Sequence, residues 1–261
     1  MEQFRYKKKY GQNFLCDNNI VKKIVDSSGI DNNTLVIEIG PGQGVMSKLI
    51  IPRAKYTLLY EIDKELDRYL NSFQGDYKVI YGDFLSSNVR DDILNIDYDK
   101  LYVVANLPYY ITTPIISKLI FDKILPDRIV VMVQKEVADR FVAAVGTKDY
   151  GSFSVLLNYY YSINKLFDVS RNCFNPKPNV DSSVVSMNLK KDRPILKNEL
   201  FFINLVRDSF QFKRKNIKNN LNKYDLVKID EILKKYGFSI NDRAERLELN
   251  IFIEISNSLC D

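Results

Sequence analysis

The sequence of 261 residues contains no histidine and no tryptophan. Without histidine, the Ser-His and Cys-His nucleophile pairs are excluded, and so is every metal site built on imidazole. Cysteine is scarce: Cys16, Cys173 and Cys260 are the whole supply, with no Cys-x-x-Cys pair. That argues against structural zinc and against a disulfide framework, and for reduced thiols in a cytoplasmic protein. No apolar run reaches the length of a membrane span, and the N-terminus lacks the apolar stretch of a signal peptide. Neither a membrane nor a metal is expected as a partner. What is present is a hydrophobic fraction of 46%, enough for a sizeable core, and a net charge of +5. The positive excess is clustered. Arg5, Lys7, Lys8 and Lys9 form one group, and Lys213, Arg214, Lys215 and Lys218 form another. Either group suits a polyanionic partner, and either could be a solvated surface.

From residue 34 onward, short apolar runs alternate with helical patterns. Strands are expected at 35–39, 57–61, 77–81, 101–105 and 128–134, with helices at 45–51, 63–71, near 88–94, at 113–122 and at 135–145. Such alternation argues for an α/β fold, a mainly parallel sheet with helices on both faces. Ahead of it, Asp17 is placed to cap a helix over 18–28 that Gly29 ends. Two later runs, 152–161 and 183–189, read as an antiparallel hairpin at one sheet edge. Past Lys190 the pattern changes: Pro194 breaks the chain, and helices are expected near 198–212, 226–236 and 249–258. The expected division is a sheet domain over 1–190, beginning with a basic tail at 1–12, and a small all-helical domain over 191–261.

In such a sheet, ligands bind beyond the carboxyl ends of the strands. Four successive ends here carry Gly40, Glu61, Asp83 and Asn106. Strand 35–39 runs into Gly40, Gly42 and Gly44, a turn where a ligand can approach the backbone closely. Glu61 follows about 20 residues after the glycines, the place where an acid holds two ribose hydroxyls. The spacing departs from the dinucleotide pattern Gly-x-Gly-x-x-Gly. Glu38-x-Gly40-x-Gly42-x-Gly44 instead resembles the first motif of S-adenosylmethionine-dependent methyltransferases. Asp83 would then accept a hydrogen bond from the adenine amine of that cofactor.

Asn106-Leu107-Pro108-Tyr109 is the most informative tetrapeptide. An exocyclic base amine is a poor nucleophile because its lone pair is delocalised into the ring. The Asn106 side-chain carbonyl and the Leu107 backbone carbonyl can accept its two hydrogens and turn the lone pair outward. Pro108 fixes the turn, and Tyr109 offers a face for the base to stack on.

Gly-Gln-Asn-Phe-Leu at 11–15, Glu-Ile-Gly-Pro-Gly-x-Gly at 38–44, Gly-Asp-Phe at 82–84 and Asn-Leu-Pro-Tyr at 106–109 together resemble the ribosomal RNA adenine N6-dimethyltransferases. So does Phe-Asn-Pro-Lys-Pro-Asn-Val-Asp-Ser-Ser at 174–183. The match is collinear over nearly the whole chain. Asn-Leu-Pro-Tyr-Tyr-Ile-Thr-Thr-Pro at 106–114, Phe-Lys-Arg-Lys-x-x-Lys-Asn-Asn-Leu at 212–221 and Arg-Ala-Glu-Arg-Leu at 243–247 resemble its bacterial small-subunit branch. Tyr110 departs from the pattern, since many relatives carry Asn there.

The resemblance implies a Rossmann-like methyltransferase domain that binds S-adenosylmethionine through Asn13, Leu15, Gly40, Gly42, Glu61, Asp83 and Asn106. Asn13 would fold back over the cofactor as part of a lid. Phe174 would stack on the target adenine opposite Tyr109, from an exposed loop stiffened by Pro176 and Pro178. The implied reaction is N6,N6-dimethylation of two adjacent adenines near the 3′ end of small-subunit rRNA. The implied partner is an immature small ribosomal subunit, met by a monomer. The two basic groups would contact RNA, the second from a helical segment. Three alternatives stand beside this: a large-subunit dimethyltransferase of the macrolide-resistance type, a non-catalytic RNA-binding assembly or transcription factor, and a DNA adenine methyltransferase.

Overall fold

The computed structural model describes residues 13–108 and 111–260. The chain opens with β1 (Phe14–Leu15), α1 (Asn18–Ser28), β2 (Thr34–Ile39), α2 (Ser47–Ile50) and β3 (Tyr56–Glu61). Next come α3 (Asp67–Leu70), β4 (Tyr77–Tyr81), α4 (Val89–Ile93), β5 (Lys100–Asn106), α5 (Thr112–Phe121), β6 (Arg128–Gln134) and α6 (Lys135–Phe141). Then follow α7 (Ser152–Tyr160), β7 (Tyr161–Val169), β8 (Phe174–Asn175) and β9 (Ser182–Leu189). The chain ends with α8 (Glu199–Ser209), α9 (Ile217–Asn220), α10 (Leu226–Lys235) and α11 (Leu249–Leu259).

Seven strands form one sheet in the order β4-β3-β2-β5-β6-β9-β7. The pairs from β4 to β6 are parallel, and β9 runs antiparallel to β6. β2 is the switch point: its successor β3 lies on one side and β5 on the other. Every residue of β2 is buried, as a central strand covered on both faces requires. Ahead of it, Asp17 accepts the backbone N–H groups of Asn19 and Ile20 and starts α1. Gly29 ends α1 in the left-handed conformation, φ 68°. Val21, Ile24 and Val25 lie on the inner face of α1, in one cluster with Val36, Val104 and Val130 of the sheet.

The chain forms two compact units. The sheet unit runs to Ala138 and resumes over Asn164–Leu189; the second unit takes Asp139–Ile163 and the chain after Leu189. The chain therefore passes to the second unit first at Asp139, and again at Lys190. In the second unit α8 packs against α7, α9 and α11, and α10 packs on α11. Tyr159 and Phe202 meet there with ring centroids 5.3 Å apart.

One expected strand is a helix. The run 152–160 forms α7, and the strand begins only at Tyr161. Val155, Leu156, Leu157, Tyr159 and Tyr160 of α7 are all buried. Burial around so much of its girth leaves no polar stripe from which a helical period can be read. β7 itself alternates: Ser162, Asn164, Leu166 and Asp168 are exposed and the residues between them half-buried, as in a strand with one covered face.

Candidate active site

The carboxyl ends of β2, β3, β4 and β5 converge on a cavity of about 160 Å³ within the sheet unit. Its polar wall includes Gly40, Gly42, Glu61, Asp83 and Asn106, and its rim carries Asn13 and Leu15. Seven cofactor positions expected from the sequence thus line one cavity.

The glycine turn after β2 needs its glycines. Gly40, Gly42 and Gly44 take φ values of 69°, 61° and 75°, a region that costs other residues roughly 1–2 kcal/mol each. At Gly42 and Gly44 space is tight as well. A Cβ on Gly42 would stand 2.7 Å from a ring carbon of Phe14, and one on Gly44 would overlap the ring of Phe73. Phe14 belongs to β1, which pairs with β8 in a two-residue ladder, Leu15 opposite Phe174 and Phe14 opposite Asn175. That ladder holds residues 13–15 at the cavity.

Glu61 braces the turn. One carboxylate oxygen accepts the Gly42 N–H at 3.0 Å and the other accepts the Asp63 N–H at 2.9 Å. The residue is 4% exposed. Burial raises its carboxyl above the ordinary range, outweighing the backbone donors at Asp63, Gly42 and Ile62 that pull it down. Each oxygen keeps a further lone pair for a ligand hydroxyl. Asp83 uses Oδ1 to accept the Leu85 N–H at 2.9 Å, and its Oδ2 accepts nothing from the described residues. Ile62, Phe84 and Leu85 line the same cavity and give it an apolar wall beside these acids. Ile62 is 41% exposed despite its size, as a side chain waiting to pack on a flat ring would be. The residues therefore fit S-adenosylmethionine. An acid with spare acceptors stands at the strand end where a ribose binds, and a second acid with a spare acceptor shares the cavity with an apolar wall that suits an adenine.

Asn106 ends β5 with its amide nitrogen donating to the Asn13 carbonyl at 3.3 Å. That bond assigns the nitrogen end, so Oδ1 is the end left to accept. The Leu107 N–H donates to Met132 O of the neighbouring strand at 3.1 Å, while its carbonyl has no partner among the described residues. Pro108 O accepts from Ile111 N and Thr112 Oγ1, which ties the tetrapeptide to the start of α5. Leu107 and Pro108 line the cavity beside Asn106. Tyr109, with Tyr110, lies outside the described residues, as do Arg5, Lys7, Lys8 and Lys9.

Two expectations change. Phe174 is 5% exposed and belongs to the cluster formed by Leu15, Val21 and Met46; it is not on an exposed loop and does not line the cavity. Its pairing with Leu15 across the ladder draws it inward, which flanking prolines alone do not reveal. The second basic group is helical only at Lys218. α8 ends at Ser209, and Lys213, Arg214 and Lys215 occupy a loop before the four-residue α9, which carries Lys218. Asn220, 5% exposed, clamps this loop: its side-chain oxygen accepts the Phe212 N–H at 3.0 Å and its nitrogen donates to Ser209 O at 2.8 Å.

Three residues of the site received no role from the sequence, although two of them, Phe84 and Glu38, belong to its motifs. Ile62 and Phe84 each follow a polar strand end by one residue, a signal legible in retrospect. The third is Glu38, fully buried beneath the glycine turn. Ser47 Oγ donates to its Oε2 at 2.6 Å, and its Oε1 has no partner among the described residues. Burial chiefly, with the Glu61 charge adding to it against the Ser47 bond, pushes this carboxyl up to about 8.

A doubly wound sheet with a glycine turn, a ribose-type acid and Asn-Leu-Pro at one cavity defines an S-adenosylmethionine-dependent methyltransferase. The chain belongs to the ribosomal RNA adenine dimethylase family, whose model matches residues 3–261. It is 41% identical over 271 aligned positions to the ribosomal RNA small subunit methyltransferase A of Bacillus cereus strain B4264, covering 98% of this chain and 92% of that protein. A dimethyladenosine transferase from Plasmodium falciparum superposes with a TM-score of 0.77 at 27% identity, covering 93% of this chain and 95% of that one. The 23S rRNA methyltransferase ErmE shares the fold, with a TM-score of 0.70 at 22% identity, over 95% of this chain and 100% of that one.

Proposed function

We propose that the chain dimethylates N6 of two adjacent adenines near the 3′ end of small-subunit rRNA, in an immature small subunit in the cytoplasm. The observation that carries this reading is a pair of acceptors with no donor among the described residues, Asn106 Oδ1 and the Leu107 carbonyl. Both stand at the cavity that holds Glu61 and Asp83. Its support for the small over the large subunit is the 41% identity to a small-subunit enzyme along the whole chain.

Glu61 holds the ribose hydroxyls, Asp83 the adenine amine, and Ile62 and Phe84 the adenine faces. Gly40 and Gly42 let the ligand approach the backbone, and Asn13 and Leu15 close over it. When bound, S-adenosylmethionine supplies an electrophilic methyl group carried by a cationic sulfur. Asn106 and Leu107 accept the two hydrogens of the target amine, which frees its lone pair from the ring and points it at the donor. After one methyl transfer a single N–H remains, so one acceptor suffices for the second round. Tyr109 is the stacking face for the target base. Phe174 serves from the core by holding the Phe14–Leu15 ladder at the rim.

Glu61→Ala removes both ribose acceptors and is expected to weaken S-adenosylmethionine binding by about 1.5–3 kcal/mol, about 10- to 150-fold. Calorimetry that finds unchanged affinity in the folded variant would take Glu61 out of the site.

RNA selection needs a wider surface than one cavity. We assign it to the loop cations Lys213, Arg214 and Lys215 with Lys218, together with Arg5, Lys7, Lys8 and Lys9. Replacing Lys213, Arg214 and Lys215 with Gln should flatten the slope of log affinity against log salt by about 2, at 0.7–0.9 per lost phosphate contact. Cofactor affinity should stay unchanged. An unaltered slope on assembly-stage small subunits would make this loop solvated surface.

A further inference from the structure

The second unit contains a cavity of its own, about 270 Å³, lined chiefly from three separate stretches of chain. Lys148 comes from the loop before α7, Phe212, Lys213 and Lys215 from the loop after α8, and Arg243 from the turn before α11. Arg140 adds a further cation, and among the described residues the only acids on the wall are Asp149 and Glu245. Glu245 faces Arg243 at 3.8 Å, which leaves the balance strongly positive.

Lys148, Lys213 and Lys215 are presented rather than paired off among the described residues. Lys213 Nζ donates to the Lys148 carbonyl at 2.8 Å, a neutral acceptor that leaves its charge uncompensated. Among the described residues, no acid stands within ion-pair distance of Lys148 or Lys215, and neither ammonium donates a hydrogen bond. The loop that carries Lys213 and Lys215 is held by Asn220, so the charges keep their places without a ligand. Next to them Phe212 is 55% exposed, although a phenyl ring on a clamped loop gains nothing from water. An exposed ring beside cations in a concavity is the combination that binds an unpaired nucleotide. The ring takes the face of a base and the cations take its phosphate. A duplex offers phosphates but no free base face, so it would leave Phe212 unused.

We propose that this cavity is a nucleotide subsite. It takes one unpaired nucleotide of single-stranded RNA, base on Phe212 and phosphate against Lys148 and Lys215, apart from the adenines that are methylated. The choice of RNA rests on the proposed substrate; the chemistry of the pocket does not.

The test uses the full chain and a short fluorescent oligouridylate, which contains no adenine to methylate. Anisotropy titrations against salt are run for wild type, Phe212→Ala and Lys148→Gln. Both substitutions are on exposed side chains, so the fold is expected to persist, and S-adenosylmethionine affinity serves as the check. Phe212→Ala should weaken binding about 5-fold or more, the range for one lost base stack, with the salt slope unchanged. Lys148→Gln should lower that slope by about 0.7, the value for one phosphate of a single strand. A duplex of the same length should bind Phe212→Ala and wild type equally. Uridine monophosphate and inorganic phosphate as competitors separate a nucleotide site from a plain anion site, since only the former should compete in a Phe212-dependent way. The proposal is overturned if wild type does not bind oligouridylate, if Phe212→Ala binds it as wild type does, or if phosphate alone competes equally well. Methylation of small subunits by wild type is read separately. Its failure would sink the substrate reading and leave the oligouridylate result to decide the pocket.

Discussion

Asn106→Ala is expected to lower methyl transfer about 10²-fold or more while cofactor affinity changes far less. The side chain offers one acceptor, Oδ1, at the cavity, and its nitrogen is committed to Asn13 O. Alanine removes the acceptor that holds the target amine in its nucleophilic orientation, and nothing in the described wall replaces it. The loss should appear in single-turnover rates, because it concerns the transition state more than the binding of either partner. The second methylation should suffer no more than the first, since a monomethylated amine has a single hydrogen and the Leu107 carbonyl remains to hold it. A wild-type single-turnover rate would dismiss the amine-positioning role. An equal loss of cofactor affinity would reassign Asn106 to binding, through its bond to Asn13.

Glu38→Gln is expected to change the pH dependence of stability more than any other single substitution in the sheet unit. The Glu38 carboxyl sits at about 8 in the folded chain against 4.5 for the ordinary group. Its folded-state value is raised, so the folded protein keeps a proton that the unfolded chain releases above 4.5. The Glu38 contribution to stability is therefore fully present below 4.5, declines as pH rises from there to about 8, and is gone above that window. The size is on the order of several kcal/mol, because a tenfold change in acidity on folding corresponds to about 1.4 kcal/mol. Glutamine has the same shape, can accept from Ser47 Oγ, and has no charge to bury. Denaturant titrations should show wild type losing stability from about pH 5 to about pH 8 and the variant losing much less. Parallel curves for the two proteins would mean that Glu38 is already ionised in the fold, with a partner that the structure does not reveal.

Much of this was legible in the sequence, for a physical reason. β2, β3, β5 and β6 are largely buried apolar runs that end at a glycine or a polar side chain, so both these strands and the ligand-facing residues at their ends announce themselves. Asp17 and Gly29 mark α1 by local chemistry alone. What was not legible depends on contacts distant in sequence. α7 looked like a strand because the second unit buries it on several sides. Phe174 looked exposed because its ladder partner, Leu15, lies far back in the chain. The loop at 211–216 looked helical because its clamp, the Asn220 side chain, acts across a turn. The raised carboxyl of Glu38 comes from burial, and a motif reading sees only an acid before a glycine.

The most direct measurement takes ribosomal subunits from a strain that lacks this gene and treats them with the purified chain and methyl-labelled S-adenosylmethionine. The rRNA is then digested and read by primer extension and nucleoside analysis. The expected result is N6,N6-dimethyladenosine at two adjacent positions near the 3′ end of small-subunit rRNA, with large-subunit rRNA unlabelled. Label confined to the large subunit, or no label on either, would contradict it.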